Sequence, residues 1–302
     1  MKRPLWIIAC RLCCLVMAGA PLTQAQEPPE LIVFAAASLT DAFQEIAEAF
    51  SATPAGEGLR IAFNFAGSSD LAAQLSEGAP ADVFASANAR QMAAAAEAGR
   101  IAGEPVIFAQ NRLVIIVPAD NPGGITTLRD LANAGRQIII AGEGVPVRDY
   151  TETMLERMAA DTAYGAAFVE GFRANVVSEE ENVRQVAAKI ALGEGDAGVV
   201  YVSDITQEIT DQVMRIDVPD AFNTIAQYPI AVTTEGAQPE AAAAFMAFVL
   251  SPEGQAILER YNFIPVCPTT AEAAPDITPA AASQPTPEPD ADTTPEPTAC
   301  PL

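Results

Sequence analysis

Strand-like and helix-like apolar patterns alternate along this chain, and the first clear pair follows residue 30. Leu31–Ala37 is an uninterrupted apolar run, which is typical of a buried strand. From Leu39 to Phe50 the apolar residues recur every three or four positions, which predicts an amphipathic helix. Ser38 lies between the two and, with Asp41 three residues on, predicts a helix cap. A strand that runs directly into a helix leaves unpaired backbone N–H groups, which favour an anion.

The same strand-to-helix junction occurs twice more before residue 100. Residues 60–65 alternate like a strand and lead through Gly67 to Ser68 and Ser69, either of which supplies a hydroxyl at the start of a helix. A third short strand ends in the polar segment Ser86–Asn88 and precedes an Ala-rich helix. This β-α-β-α-β-α order predicts a parallel sheet with helices on both faces, where ligands bind at the carboxyl ends of strands.

The second half of the chain predicts another set of strands and helices, and therefore a second lobe. The chain crosses into it between two apolar strands, residues 106–109 and 112–118, and returns near residue 228. Further predicted elements are strands at 136–141, 174–177 and 197–204, a loop at 142–150, and helices at 151–160, from 178, at 238–250 and at 251–261. We predict an α/β fold with mixed, mostly parallel sheets. The first lobe comprises residues 26–110 and 228–267, and the second comprises residues 111–227.

Both ends of the chain differ in composition from this folded region. Residues 1–25 combine Lys2 and Arg3 with an apolar stretch and small residues near Ala25, which predicts an export signal. Residues 268–302 are rich in Pro, Thr, Ala and acidic residues, which predicts a disordered tail. Beyond the signal only Cys267 and Cys300 remain as cysteines; they either pair with each other, stay unpaired or form intermolecular disulfides.

Charge and the missing histidine restrict the functions that the chain can have. It carries 39 acidic and 16 basic residues, a net charge of −23, and removal of the signal makes this charge more negative. Such a surface repels nucleic acid and anionic lipid, so we expect no nucleic-acid partner. The chain contains no histidine, which excludes a Ser-His-Asp triad and a histidine-ligated metal site.

Six segments in order resemble the molybdate-binding proteins of ABC transporters: 34–40, 65–69, 78–87, 145–147, 181–184 and 198–204. The resemblance spans about residues 31–265 and implies the two-lobed type II periplasmic binding protein fold. It implies an exported, periplasmic or extracellular protein that is not an enzyme and delivers its ligand to the membrane permease of an ABC importer. We expect a monomer without cofactor or free metal cation.

The resemblance also implies a ligand set for molybdate, and tungstate with it, in the cleft between the lobes. Ser38 and Ser68 each supply a hydroxyl and a backbone N–H, Ala87, Val147 and Val183 each supply a backbone N–H, and Tyr201 supplies its phenol. All of these groups are donors, so the site is expected to refuse an anion that carries a proton.

Three questions stay open at the level of sequence. Arg148 stands where these relatives often carry Gly, and it either crowds the cleft or faces solvent. Another oxyanion such as sulfate is an alternative ligand. An exported serine hydrolase is an alternative function. A nucleophilic serine needs a neighbouring base, but the chain contains no histidine and its folded region contains only one lysine, Lys189.

Overall fold

The computed structural model describes residues 28–266, so the predicted signal, the tail, Cys267 and Cys300 lie outside the described residues. The strands are, in chain order, β1 (Glu30–Ala36), β2 (Arg60–Ala66), β3 (Val83–Ala85), β4 (Ile101–Asn111), β5 (Leu113–Pro118), β6 (Ile138–Ala141), β7 (Val176–Glu180), β8 (Ala197–Tyr201), β9 (Val213–Asp217), β10 (Ala226–Thr233) and β11 (Ile264–Pro265). The α-helices are α1 (Thr40–Ser51), α2 (Ser68–Ser76), α3 (Ala89–Glu97), α4 (Pro146–Ala160), α5 (Gly165–Ala174), α6 (Val183–Ala191), α7 (Pro239–Val249) and α8 (Pro252–Arg260). Short 3-10 turns occur at Ala37–Leu39, Leu128–Ala132 and Val202–Asp204.

The strands form two separate sheets, each flanked by helices, and the predicted α/β class is confirmed. The first sheet has the order β11-β4-β10-β3-β1-β2 and the second the order β7-β6-β8-β5-β9. The chain passes from the first sheet to the second between β4 and β5 and returns between β9 and β10. A first lobe thus contains β1–β4, β10 and β11, and a second lobe contains β5–β9.

Each sheet is mixed, with more antiparallel pairing than the predicted mostly parallel arrangement. β1 is parallel to β2 and β3, and β6 is parallel to β7 and β8, as helical crossovers require. The strands next to the two passages between the lobes pair antiparallel. In the first sheet, β10 lies antiparallel between β3 and β4. In the second sheet, β5 lies antiparallel between β8 and β9. The helical crossovers therefore set the parallel pairs, and the passages between lobes set the antiparallel ones.

The core of the first lobe joins its N-terminal and C-terminal parts. Helix α1 buries one face, and the Phe43 ring on that face lies 5.6 Å from Phe108 of β4 and 6.0 Å from Phe245 of α7. All three phenyl groups are fully buried, and burial of each stabilises the fold by roughly 1.5–3 kcal/mol. The return of the chain to the first lobe is therefore fixed by apolar packing.

Two helix starts in the second lobe differ from the sequence prediction, and both bear on the cleft. Helix α4 begins at Pro146, within the predicted loop 142–150, because a helix tolerates proline at its first position. Strand β7 continues to Glu180, where a helix was predicted from Ser178, because it pairs in register with β6. Helix α6 begins only at Val183. Helix α5 has no counterpart in the sequence prediction, although its buried Phe168 and Phe172 have helical spacing.

No single helix within residues 28–266 is long and apolar enough to cross a membrane. Helices α7 and α8 meet the length and composition only as a pair, and they meet at an angle of 63°. Both bury their apolar faces in the first lobe, which accounts for their composition.

Candidate functional site

A small cavity lies between the two lobes, where the carboxyl ends of β1 and β2 face the starts of α4 and α6. The six residues that the resemblance assigned to the ligand all line this one cavity. The lining residues are Ala36, Ala37, Ser38, Ala66, Gly67, Ser68, Ala87, Val145, Pro146, Val147, Asn182, Val183 and Tyr201. The fold therefore brings together positions that are up to 163 residues apart in the chain.

Ser38 lies in the 3-10 turn between β1 and α1, and its predicted role as a helix cap is wrong. The α-helix begins at Thr40, its N-cap is Leu39, and no side chain forms a capping hydrogen bond there. The Ser38 side chain is buried, and its Oγ lies 3.0 Å from the hydroxyl of Tyr228. The extra 3-10 turn places the serine beside the cavity instead of at the end of the helix.

Ser68 is the first residue of α2, and its hydroxyl accepts a hydrogen bond from within the first lobe. The Ala87 N–H donates to Ser68 Oγ over 3.0 Å, and both residues are buried. The resemblance directed this N–H to the ligand, whereas here it is used by the serine. Ala87 lines the cavity, and its N–H acts on the site through Ser68.

Gly67, just before α2, brings the two lobes into close backbone contact. A Cβ at this position would lie 2.6 Å from the carbonyl oxygen of Glu181 in the second lobe, which is too close for any side chain. Because glycine has no Cβ, the backbone of the first lobe can approach the second lobe this closely here. Gly67 therefore allows the cleft to close.

The second lobe presents two helix starts to the cavity. Val147 is the second residue of α4 after Pro146, and Val183 is the first residue of α6. Backbone N–H groups in a first helical turn have no carbonyl partner within the helix, and the helix dipole makes this end attractive to anions. Asn182 caps α6 by accepting a hydrogen bond of 3.1 Å from Gln185 N–H. The N–H groups of both valines are thus positioned as donors to an anion.

Tyr201 ends β8 with its ring buried and its hydroxyl unpaired within residues 28–266. A buried polar group without a partner is costly, so this hydroxyl indicates a ligand position. Burial raises the pKa of Tyr201 well above its usual range, so the phenol keeps its proton and remains a donor. Its backbone N–H donates to Asp204 over 3.0 Å, which fixes the end of the strand.

Arg148 does not crowd the cavity, which answers the question left open by the sequence. It extends away from the cavity and pairs with Glu152 at 2.7 Å and Glu179 at 2.8 Å. Its Nη1 also donates to the Ala141 carbonyl over 3.1 Å, so the side chain ties α4 to the end of β6. The arginine therefore stabilises the segment that carries Val147.

No carboxylate is among the residues that line the cavity. Asp41 is held by Arg184 at 2.8 Å, and Asp70 lies exposed in the first turn of α2. The pKa of Asp70 is raised, first by burial and then by the charge of Glu181. As described, the cavity offers N–H and O–H donors without an acidic acceptor.

Polar contacts across the cleft hold the lobes against each other. Arg184 of the second lobe donates to Ser38 O over 3.3 Å as well as to Asp41. On the other side of the cavity, Asp149 of the second lobe accepts from Asn88 at 3.0 Å and from Arg90 at 2.8 Å. These contacts flank the cavity on both sides, so the structure is a closed form of the cleft.

Sequence reasoning missed Tyr228, whose hydroxyl contacts Ser38. Tyr228 was assigned only to a strand. Tyr228 follows Ser38 by 190 residues, and it reaches the site only because β10 returns to the first sheet beside β3. No pattern of neighbouring residues in the sequence predicts this contact.

Comparison with known proteins gives consistent matches. The model of the family described as bacterial extracellular solute-binding protein matches residues 31–264. "Molybdate-binding protein ModA" of Mycobacterium tuberculosis strain H37Rv is 39% identical over 246 residues, covering 82% of this chain and 88% of its own length. The protein of the same name from Escherichia coli K12 is 30% identical, covering 82% and 96%. The substrate-binding domain of a putative molybdenum ABC transporter from Clostridium difficile is 26% identical with a TM-score of 0.58, covering 78% and 99%.

Proposed function

The chain belongs to the bacterial extracellular solute-binding proteins, and from that premise we propose that it captures molybdate between its lobes. In this role it is the substrate-binding protein of an ABC molybdate transporter and releases the anion to the membrane permease. It has the type II periplasmic binding protein fold of its relatives. Their printed names support the ligand, and the family supports an exported location.

The observation that carries the proposal is a cavity whose polar groups are donors from both lobes. Ser38 and Ser68 face it from the first lobe, and Val147, Val183 and Tyr201 face it from the second. Molybdate is a tetrahedral dianion that accepts hydrogen bonds on all four oxygens. Each hydrogen bond to a charged group contributes roughly 1.5–3 kcal/mol, so this set supports tight binding without a metal or a counter-ion.

Tungstate has the same charge and nearly the same size as molybdate, and we propose that it binds as well. Sulfate also lacks a proton but is smaller, so it cannot reach donors on both lobes at their best distances. We therefore propose that sulfate binds much more weakly than molybdate.

The geometry gives no support to the alternative of a serine hydrolase. A nucleophilic serine requires a base within hydrogen-bond reach. Ser38 Oγ instead contacts the hydroxyl of Tyr228, whose pKa burial raises well above its usual range. Ser68 Oγ accepts from a backbone N–H, which cannot take up a proton. Both serines are therefore arranged to donate to an anion, and we propose that the protein is not an enzyme.

Isothermal titration calorimetry on residues 26–302 tests the proposal directly. We expect submicromolar dissociation constants for molybdate and tungstate with one anion bound per chain, and sulfate weaker by roughly a hundredfold or more. A parallel assay with ester substrates should show no turnover. Sulfate binding as tightly as molybdate, or no binding of either metal oxyanion, would overturn the proposal.

A further inference from the structure

The direction of one buried hydrogen bond decides whether Ser38 serves the anion. Tyr228 on β10 places its hydroxyl 3.0 Å from Ser38 Oγ, and both groups are buried. A serine hydroxyl has one proton and two lone pairs. If Ser38 donated its proton to Tyr228, only lone pairs would face a dianion in the cavity, and the contact would be repulsive.

The surroundings of Tyr228 indicate which group donates. Tyr228 is fully buried, and within residues 28–266 its hydroxyl has one hydrogen-bond partner, Ser38 Oγ. If Ser38 donated in this contact, the buried phenol proton would be left without an acceptor, which is costly. Ser38 lines the cavity and Tyr228 does not, so only the Ser38 proton can be taken up by an anion there. Tyr228 is therefore the donor in this contact.

Ser68 also accepts a hydrogen bond from a group in the first lobe, and here the donor is a backbone N–H, which can only donate. Its Oγ accepts from the Ala87 N–H at 3.0 Å, so its own proton is free to point into the cavity. The two serine hydroxyls of the first lobe therefore each have a donor behind them. One donor is a backbone group and the other is a tyrosine.

We propose that Tyr228 is a positioning residue that donates to Ser38 Oγ and thereby directs the Ser38 proton to the bound oxyanion. The donors follow one another from Tyr228 to Ser38 and from Ser38 to the anion. This inference rests on the proposed function, since it concerns the same cavity and ligand. A donor behind each serine fixes the rotation of its hydroxyl so that its proton faces the cavity, and a protonated anion such as hydrogen phosphate then meets no acceptor in either serine.

A double-mutant cycle on molybdate binding separates this role from a structural one. The four proteins are the wild type, Tyr228→Phe, Ser38→Ala and the double variant, each titrated by calorimetry. We expect Tyr228→Phe to weaken binding by roughly 3- to 10-fold in the wild type, the value of one hydrogen bond. In the Ser38→Ala background the same change should alter affinity by less than about twofold, because its effect passes through Ser38.

Phosphate supplies a second readout that loss of packing would not produce. In Tyr228→Phe, no donor fixes the rotation of the Ser38 hydroxyl, so a lone pair of Oγ can turn toward the cavity and accept the phosphate proton. The ratio of phosphate to molybdate affinity should therefore rise in this variant by roughly the same 3- to 10-fold. Tyr164→Phe is the matched control: it removes a phenol hydroxyl from a ring that packs on Phe168 and does not line the cavity. This control should leave both affinities unchanged.

Thermal melting checks that each variant is folded, and Tyr228→Leu, which also lacks the hydroxyl, replaces Tyr228→Phe if that variant does not fold. Its loss of affinity should likewise vanish in the Ser38→Ala background. Equal losses in both backgrounds, or an unchanged phosphate-to-molybdate ratio, would overturn the positioning role. A wild-type protein that fails to bind molybdate would overturn the proposed function instead, so the two failures are distinguishable.

Discussion

At the scale of single residues, the first turn of α2 carries two adjacent serines of which only one lines the cavity. Ser68 is buried and Ser69 is half-buried. We expect Ser68→Ala to weaken molybdate binding by about 1.5–3 kcal/mol, since it removes one hydrogen bond to a charged ligand. Ser69→Ala is the matched control and should bind like the wild type in the same calorimetric titration. Equal losses for the two variants would remove Ser68 from its assigned role.

Asp204 predicts a pH dependence of stability. It is fully buried next to Tyr201, and burial raises its pKa to about 6, although Arg184 partly offsets this effect. Because the folded state binds this proton more tightly than the unfolded chain does, the stability it contributes is present below about pH 4 and is lost as pH rises through 6.

Comparison with Asp204→Asn isolates this effect, because the amide cannot titrate. Relative to that variant, the free energy of unfolding of the wild type should fall by up to about 3 kcal/mol between pH 4 and pH 7, the equivalent of two pKa units. Urea denaturation at several pH values measures both proteins. Parallel pH profiles for the two would show that Asp204 has an ordinary pKa.

At the scale of elements, the segment between β2 and α2 sets how closely the lobes approach. Gly67→Ala places a methyl group 2.6 Å from Glu181 O, a backbone atom of the opposite lobe that cannot rotate away. We expect this variant to lose at least about tenfold in molybdate affinity, because the closed form is penalised while each lobe remains intact. Its melting temperature without ligand should change little.

Gly142→Ala is the matched control for this glycine. Its added Cβ would lie 3.4 Å from Glu180 O, within the same lobe and at an ordinary contact distance. Calorimetric titration of both variants should therefore show a loss for Gly67→Ala alone. A Gly67→Ala variant that binds as tightly as the wild type would show that the close contact is unnecessary for binding.

Elements that are determined by neighbouring residues in the chain could be predicted from the sequence, whereas contacts between distant residues could not. The junctions at Ser38 and Ser68 were found because a strand, a small or capping residue and a helix follow one another directly. The exact helix starts were less certain, since Ser178 was assigned to a helix that pairing with β6 converts into strand. Tyr228 was not recognised as part of the site, because its contact with Ser38 exists only after the chain has passed through the second lobe and returned.

At the scale of the whole molecule, we expect binding to be coupled to closure of the two lobes. The donors are divided between the lobes, so an anion that contacts all of them stabilises the closed form over an open one. The contacts of Arg184 with Asp41 and of Asp149 with Arg90 join the two lobes in the form described here. We expect small-angle scattering to show a smaller radius of gyration when molybdate is added.

An anion that contacts only one lobe binds the open and closed forms equally well, so it does not favour closure. Phosphate at the same concentration is therefore the control for the scattering experiment and should leave the radius of gyration unchanged. If molybdate also left it unchanged while calorimetry recorded binding, the ligand would be held by one lobe and the division of donors would be wrong.

The central claim is that the cavity presents donors only and so selects an oxyanion without protons. The most direct test is a competition titration, in which molybdate is titrated into the protein near pH 7 with and without phosphate. Phosphate still carries a proton at this pH, and burying that proton without an acceptor costs about 1–3 kcal/mol. This cost corresponds to roughly a 5- to 150-fold weaker affinity, so we predict that with phosphate and molybdate at equal concentration molybdate still occupies most of the sites. Phosphate that competes at a concentration comparable to molybdate would show that an acceptor, such as the carboxylate of Asp41 or Asp70, reaches the ligand, and would contradict a donor-only site.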